Sequence, residues 1–101
     1  MNKYNENTYQ AIVHFSDGSK IVSCDYLGSE MGLHPNAEQP ELFLDCFVER
    51  NYNESTKLLK LQSGWSKKPL LVNMPAVSFI ESKCITPEAR ASEFGYGVIE
   101  E

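Results

Sequence analysis

Residues 70 to 83, LLVNMPAVSFIESK, hold two apolar runs that each read as a strand, separated only by Asn73, Met74 and Pro75. A chain that leaves a strand for three residues and resumes it at once must turn a corner, and a single 3₁₀ turn does so in few residues. Pro75 cannot donate to a ladder but suits the first position of such a turn, and Asn73 is a competent cap for it. Strand, 3₁₀ turn, strand is therefore predicted across this stretch. That is how a strand at a sheet edge enters the adjacent part of a small barrel at a steep angle.

The rest of the chain reads as strands almost throughout. Tyr9, Ala11, Val13 and Phe15 alternate with Gln10, Ile12 and His14, and Ser16-Asp17-Gly18-Ser19 supplies a hairpin turn. A second strand runs from about Lys20 to Leu27, with Val22, Cys24 and Tyr26 on one face but Ile21 and Leu27 on the other, as in a strongly bent strand. Residues 28 to 40, GSEMGLHPNAEQP, form a loop. ELFLDCFVER, Glu41 to Arg50, is predicted as a third strand with Leu42, Leu44, Cys46 and Val48 toward the core. Its Phe43, Asp45, Phe47 and Glu49 form a second face, fit to meet a neighbouring chain. KLLKLQ, Lys57 to Gln62, returns as a fourth strand. After Pro87 the residues EARASEF favour a short helix behind Thr86 as N-cap. The expected fold is a small, mostly β, strongly bent five-stranded barrel over residues 1 to 86, followed by a tail over 87 to 101 that holds the short helix.

Charge narrows the function. The net charge of -5 argues against a surface that attracts phosphate everywhere. Residues 55 to 69, STKLLKLQSGWSKKP, nevertheless carry Lys57, Lys60, Lys67 and Lys68 and no acid, so this segment is +4 and the remainder -9. Trp65, Lys67 and Lys68 together offer an aromatic platform beside phosphate-neutralising charges. Cys24, Cys46 and Cys84 are odd in number, widely spaced and set among apolar neighbours, and read as reduced core residues rather than a disulfide framework. No apolar run approaches the ~20 residues of a membrane span, and the opening MNKYNENTYQ lacks the regions of a signal peptide. A soluble, cytoplasmic protein is expected.

Enzymatic signals are weak. His14, Ser16 and Asp17 supply the residue types of a triad, yet neighbours along a strand and turn do not converge on one reacting atom. No cysteine has a second ligand at metal-site spacing, and no phosphate-cradling glycine loop is present. A protein without enzymatic activity, metal or cofactor is expected.

AIVHFSDGSKIVSCDYLG (11 to 28) and LLVNMPAVSFIES (70 to 82) together resemble the two motifs of the Sm-like family, the SH3-like barrels of Sm, LSm and bacterial Hfq proteins. Ala76-Val77-Ser78-Phe79-Ile80 is similar to the Hfq end of that family. The resemblance implies assembly into a ring in which the strand before the 3₁₀ turn pairs with the last strand of the next subunit. Leu70, Leu71 and Val72 would then meet Phe79 and Ile80 of a neighbour. It also implies single-stranded RNA bound near the pore, with Asn73 and Met74 at the corner as contact residues. Where the family carries Arg-Gly or Lys-His at that corner, this chain carries Asn73, Met74 and Pro75. The leading expectation is a ring-forming scaffold that binds RNA or a partner protein. The other is a structural or protein-interaction module that uses the barrel without binding nucleic acid.

Overall fold

The computed structural model describes residues 6–64 and 68–89, a mixed α and β domain of two antiparallel sheets and one helix. The first strand, β1 (Thr8–Phe15), is the hub of the larger sheet. The predicted alternation is present: Tyr9, Ala11 and Val13 are fully buried, and Phe15 is partly buried against the same core. The turn after it is closed by Asp17, whose Oδ1 accepts from the backbone N–H of Ser19 at 2.9 Å and from its hydroxyl at 2.6 Å. Gly18, at φ +93°, takes the left-handed conformation that a side chain would strain.

The predicted second strand is present but broken in two, β2 (Lys20–Val22) and β3 (Tyr26–Leu27), both antiparallel to β1. Between them Ser23 and Cys24 are consecutive and both buried, so the chain is covered on both sides where it bends. The bend carries its own hydrogen bonding. Ser23 donates its N–H to the Ala11 carbonyl (2.9 Å), while its hydroxyl accepts from the Ala11 N–H (2.8 Å) and donates to the Cys24 carbonyl (2.9 Å). A side-chain oxygen thus stands where the ladder would place a carbonyl.

The smaller sheet has the order β4 (Tyr52–Asn53), β5 (Leu58–Gln62), β6 (Pro69–Asn73). A bridge between Ser23 and Ser63, with the Cys24 N–H donated to the Gln62 carbonyl at 2.9 Å, ties it to the bend. The last strand, β7 (Val77–Ile85), pairs with the far side of β1. The chain of neighbours is therefore β7, β1, the bent β2 and β3, β5, β6. Among the described residues the two sheets do not close into a barrel: β6 pairs only with β5, and β7 only with β1.

The third strand expected over Glu41 to Arg50 is instead a helix, α1 (Pro40–Asn51). Phe43 and Phe47 are the fully buried residues, and Leu42, assigned to the core by alternation, is 49% exposed. Four residues is both two strand periods and close to one helical turn, so the aromatic pair fits either geometry. The ends decide it. Pro40 sits in the first turn, where its missing N–H costs nothing, with Glu41 beside it and Arg50 in the last turn, each on the side the helix dipole favours. Phe43 stacks on Tyr9 with ring centroids 5.1 Å apart and lies 5.7 Å from Phe47, and Tyr26 meets both rings. Burying each phenyl ring is worth about 1.5–3 kcal/mol.

The loop of residues 28 to 40 is ordered by contacts the sequence reading missed. Ser29–Met31 form a 3₁₀ turn whose first residue is held by Glu6, the carboxylate accepting from the Ser29 N–H and hydroxyl, both at 3.0 Å. Met31 and Leu33 enter the core beside Phe43 and Phe47. At the other end of the chain, Thr86 Oγ1 accepts from the Ala89 N–H at 3.1 Å, the N-cap bond expected there, and residues 87–89 are helical. The remainder of the predicted tail helix lies outside the described residues.

Candidate functional site

The corner between β6 and β7 takes the predicted form: Met74–Ala76 is a 3₁₀ turn. Its details differ from the expectation. Pro75 is the second residue of the turn rather than the first, and Asn73, though it stands at the cap position, makes no side-chain cap hydrogen bond. The groups that hold the turn come from other loops. Met74 donates its N–H to the Lys57 carbonyl at 2.9 Å, and Ala76 presents its carbonyl to the N–H (3.0 Å) and hydroxyl (3.2 Å) of Ser16. Lys57 reaches this position with φ +61°, in the left-handed region, at the end of a turn in which Asn53 Oδ1 accepts from the N–H groups of Ser55 and Thr56.

The two strands that flank the corner each have an outer edge with no partner among the described residues. On β6, Leu71 is 64% exposed and stands opposite Lys60 of β5. On β7, Phe79 is 55% exposed. The pairing of β1 and β7 shifts there: His14 faces Phe79 while Phe15 faces Val77, so Ser78 is a bulged residue that sets Val77 in its place opposite Phe15, while Phe79 lies on the outer face with Glu81 and Lys83. His14 stacks on Phe79 with centroids 4.2 Å apart and meets Glu81 through Nε2 at 2.6 Å.

Of the residues assigned to a subunit interface, Leu71 and Phe79 are exposed and Leu70 and Ile80 half-buried. Val72 is 4% exposed and belongs to the core, so only its backbone could meet a neighbour. Of those assigned to RNA, Asn73 and Lys68 are exposed, and Met74 is half-buried against the core. Trp65 and Lys67 lie outside the described residues. His14, Ser16 and Asp17 do not converge: the first is engaged by Glu81, the second by Ala76 and the third by Ser19. Cys24, Cys46 and Cys84 are not joined in disulfides, and among the described residues no three His, Cys, Asp or Glu side chains form a group able to hold a metal. No helix among the described residues is long and apolar enough to cross a membrane.

A feature that strand alternation concealed is the wall α1 builds beside β7. Leu44, Asp45, Val48 and Glu49 face Met74, Val77, Phe79 and Ile80 across an open groove of about 590 Å³. Glu41, Asp45 and Glu49, four residues apart and all exposed, run as an acidic line along this helix. The signal that could have exposed them is the same four-residue spacing that hid the helix.

Burial also perturbs the groups behind the site. The Tyr9 hydroxyl, which donates to the Ala37 carbonyl (3.0 Å) and accepts from the Gln39 N–H (2.9 Å), has its pKa raised chiefly by desolvation. Desolvation likewise raises Tyr26 and the Cys84 thiol. All three bind their protons more tightly folded than unfolded. Their contribution to stability is thus complete below the ordinary values and is lost as pH rises through the raised ones. The urea midpoint should fall from about pH 9 upward, with part of the tyrosinate absorbance appearing only as the protein unfolds.

No family model, curated protein or solved structure matches this chain.

Proposed function

We propose that the protein is a non-enzymatic assembly module of the Sm-like kind, whose copies join β6 edge to β7 edge in a ring. The observation that carries this reading is that each strand flanking the corner has one edge without a partner among the described residues, and each bears one of the large apolar side chains most exposed among them, Leu71 and Phe79. Unpaired edges with exposed apolar side chains invite pairing with another chain. The succession β7, β1, bent β2 and β3, β5, β6, with a 3₁₀ turn between β6 and β7, supports the family likeness. Helix α1 is an addition to it. The native mass in solution tests the reading. A pentamer, hexamer or heptamer, reduced to the monomer of 11.4 kDa by Leu71→Asp or Phe79→Asp, is the expected result, and a wild-type monomer at high concentration would sink it.

A second reading, single-stranded RNA as the ligand, is favoured by the exposed lysines Lys57, Lys60 and Lys68 in the +4 segment. Oligo-U binding that weakens with salt by about 0.7 log units per log unit for each phosphate contacted would support it. The absence of binding at low salt would leave a protein-only assembly module.

A further inference from the structure

We infer that helix α1 is an electrostatic socket for a second copy: its acidic wall, Asp45 and Glu49, receives the lysines that border β6 of the neighbour, Lys60 and Lys68. This rests on the edge-paired reading and goes beyond it, because backbone pairing of two strand edges has no preference of charge and little preference of register.

Three observations carry the inference. The first is that neither charged set has an ion-pair partner among the described residues. Asp45, Glu49, Lys60 and Lys68 are exposed, and among the described residues none of them makes an ion pair, the one such pair being His14 with Glu81. The second is placement. Asp45 and Glu49 line the groove that runs beside Phe79 and Ile80 of β7, the very edge proposed to accept a neighbour. Lys60 stands directly opposite the exposed Leu71 on β5, and Lys68 immediately precedes Pro69, the first residue of β6. Each apolar anchor therefore has charge beside it, negative at the β7 edge and positive at the β6 edge. The third is composition: residues 55 to 69 are +4 in a chain whose remainder is -9, so a second copy supplies the basic surface that an acidic groove fits.

The two surfaces are different patches of one chain, so the contact is head-to-tail and gives every interface the same pairing. Like edges are kept apart as well. Two β7 edges would bring acidic walls together and two β6 edges would bring lysines together, each an unfavourable pairing.

A charge-exchange experiment on the full chain decides it, with circular dichroism and thermal melts as the check that each variant folds. Asp45→Lys/Glu49→Lys and Lys60→Glu/Lys68→Glu, each alone, should lose the assembled mass at moderate salt. Mixing the two should restore association in which unlike variants alternate, as closed rings where the wild-type number is even and as open alternating oligomers where it is odd, visible by native mass spectrometry if the variants differ by an isotope label. Wild-type assembly should weaken with salt. If both variants keep the wild-type mass, the socket is overturned while the edge-paired reading stands. If both dissociate and mixing restores nothing, the charges do not face one another and the inference is equally overturned. If the wild type and both variants are monomers, both readings fall together.

Discussion

Replacing Phe43 by Ala should remove about 3–5 kcal/mol of folding free energy, whereas Leu42→Ala beside it should cost well under half as much. Phe43 is fully buried, its ring stacked on Tyr9 and close to Phe47 and Tyr26, so truncation leaves a cavity walled by three aromatic rings that cannot collapse independently. Leu42 is half exposed and loses little that water does not replace. A domain of this size has roughly 5–15 kcal/mol in hand, so the Phe43 variant should lie near the edge of folding. Equilibrium urea unfolding of the two variants measures the difference. The order is diagnostic, because a strand over Glu41 to Arg50 with Leu42 and Leu44 inward reverses it.

Ser23→Ala should cost about 1–3 kcal/mol, a large effect for the removal of one oxygen. The Ser23 hydroxyl is fully buried and is the acceptor for the Ala11 N–H; without it that amide is left in the core with no partner and pays its full desolvation penalty. For a domain of this length each kcal/mol lowers the melting temperature by roughly 4–8 °C. Ser23→Cys, whose sulfur is a weak acceptor, should fall between wild type and Ala. Thermal melts give the ranking, and hydrogen exchange should show the Ala11 amide losing protection beyond the global change. Equal protection in Ser23→Ala would mean that the bend is held without the hydroxyl, by its backbone bonds from Ser23 to Ala11 and from Cys24 to Gln62.

How much of the fold is legible in the sequence follows from how local the deciding forces are. The inner face of β1, the Asp17-Gly18 turn and the corner at Met74–Ala76 all depend on side-chain alternation or on residues with fixed backbone preferences, and each appears where expected. The bend at Ser23 was visible only as apolar residues on both faces of one strand. Helix α1 was missed because Phe43 and Phe47 satisfy two periods at once, and its length without glycine or internal proline was the better guide. The closing contacts of the loop, Glu6 on Ser29 and Tyr9 on Ala37 and Gln39, join residues 23 to 30 positions apart, which no short window reveals. At the site, the exposed Leu71 and Phe79 are among the residues expected at an interface from the corner, while the acidic wall of α1 was hidden with its helix.

The grip on the corner by Lys57 and Ser16 has a geometric consequence. With entry and exit of the 3₁₀ turn each tied to a different hairpin, the dihedral between the two free edges is a property of the whole domain rather than of three residues. A protomer of that kind acts as a wedge of set angle. In the ring proposed above, copies joined through such wedges would turn by the same increment at each step, so closure would admit one subunit number, and loosening Ser16 or Lys57 would broaden the distribution of ring sizes before it weakened any single joint.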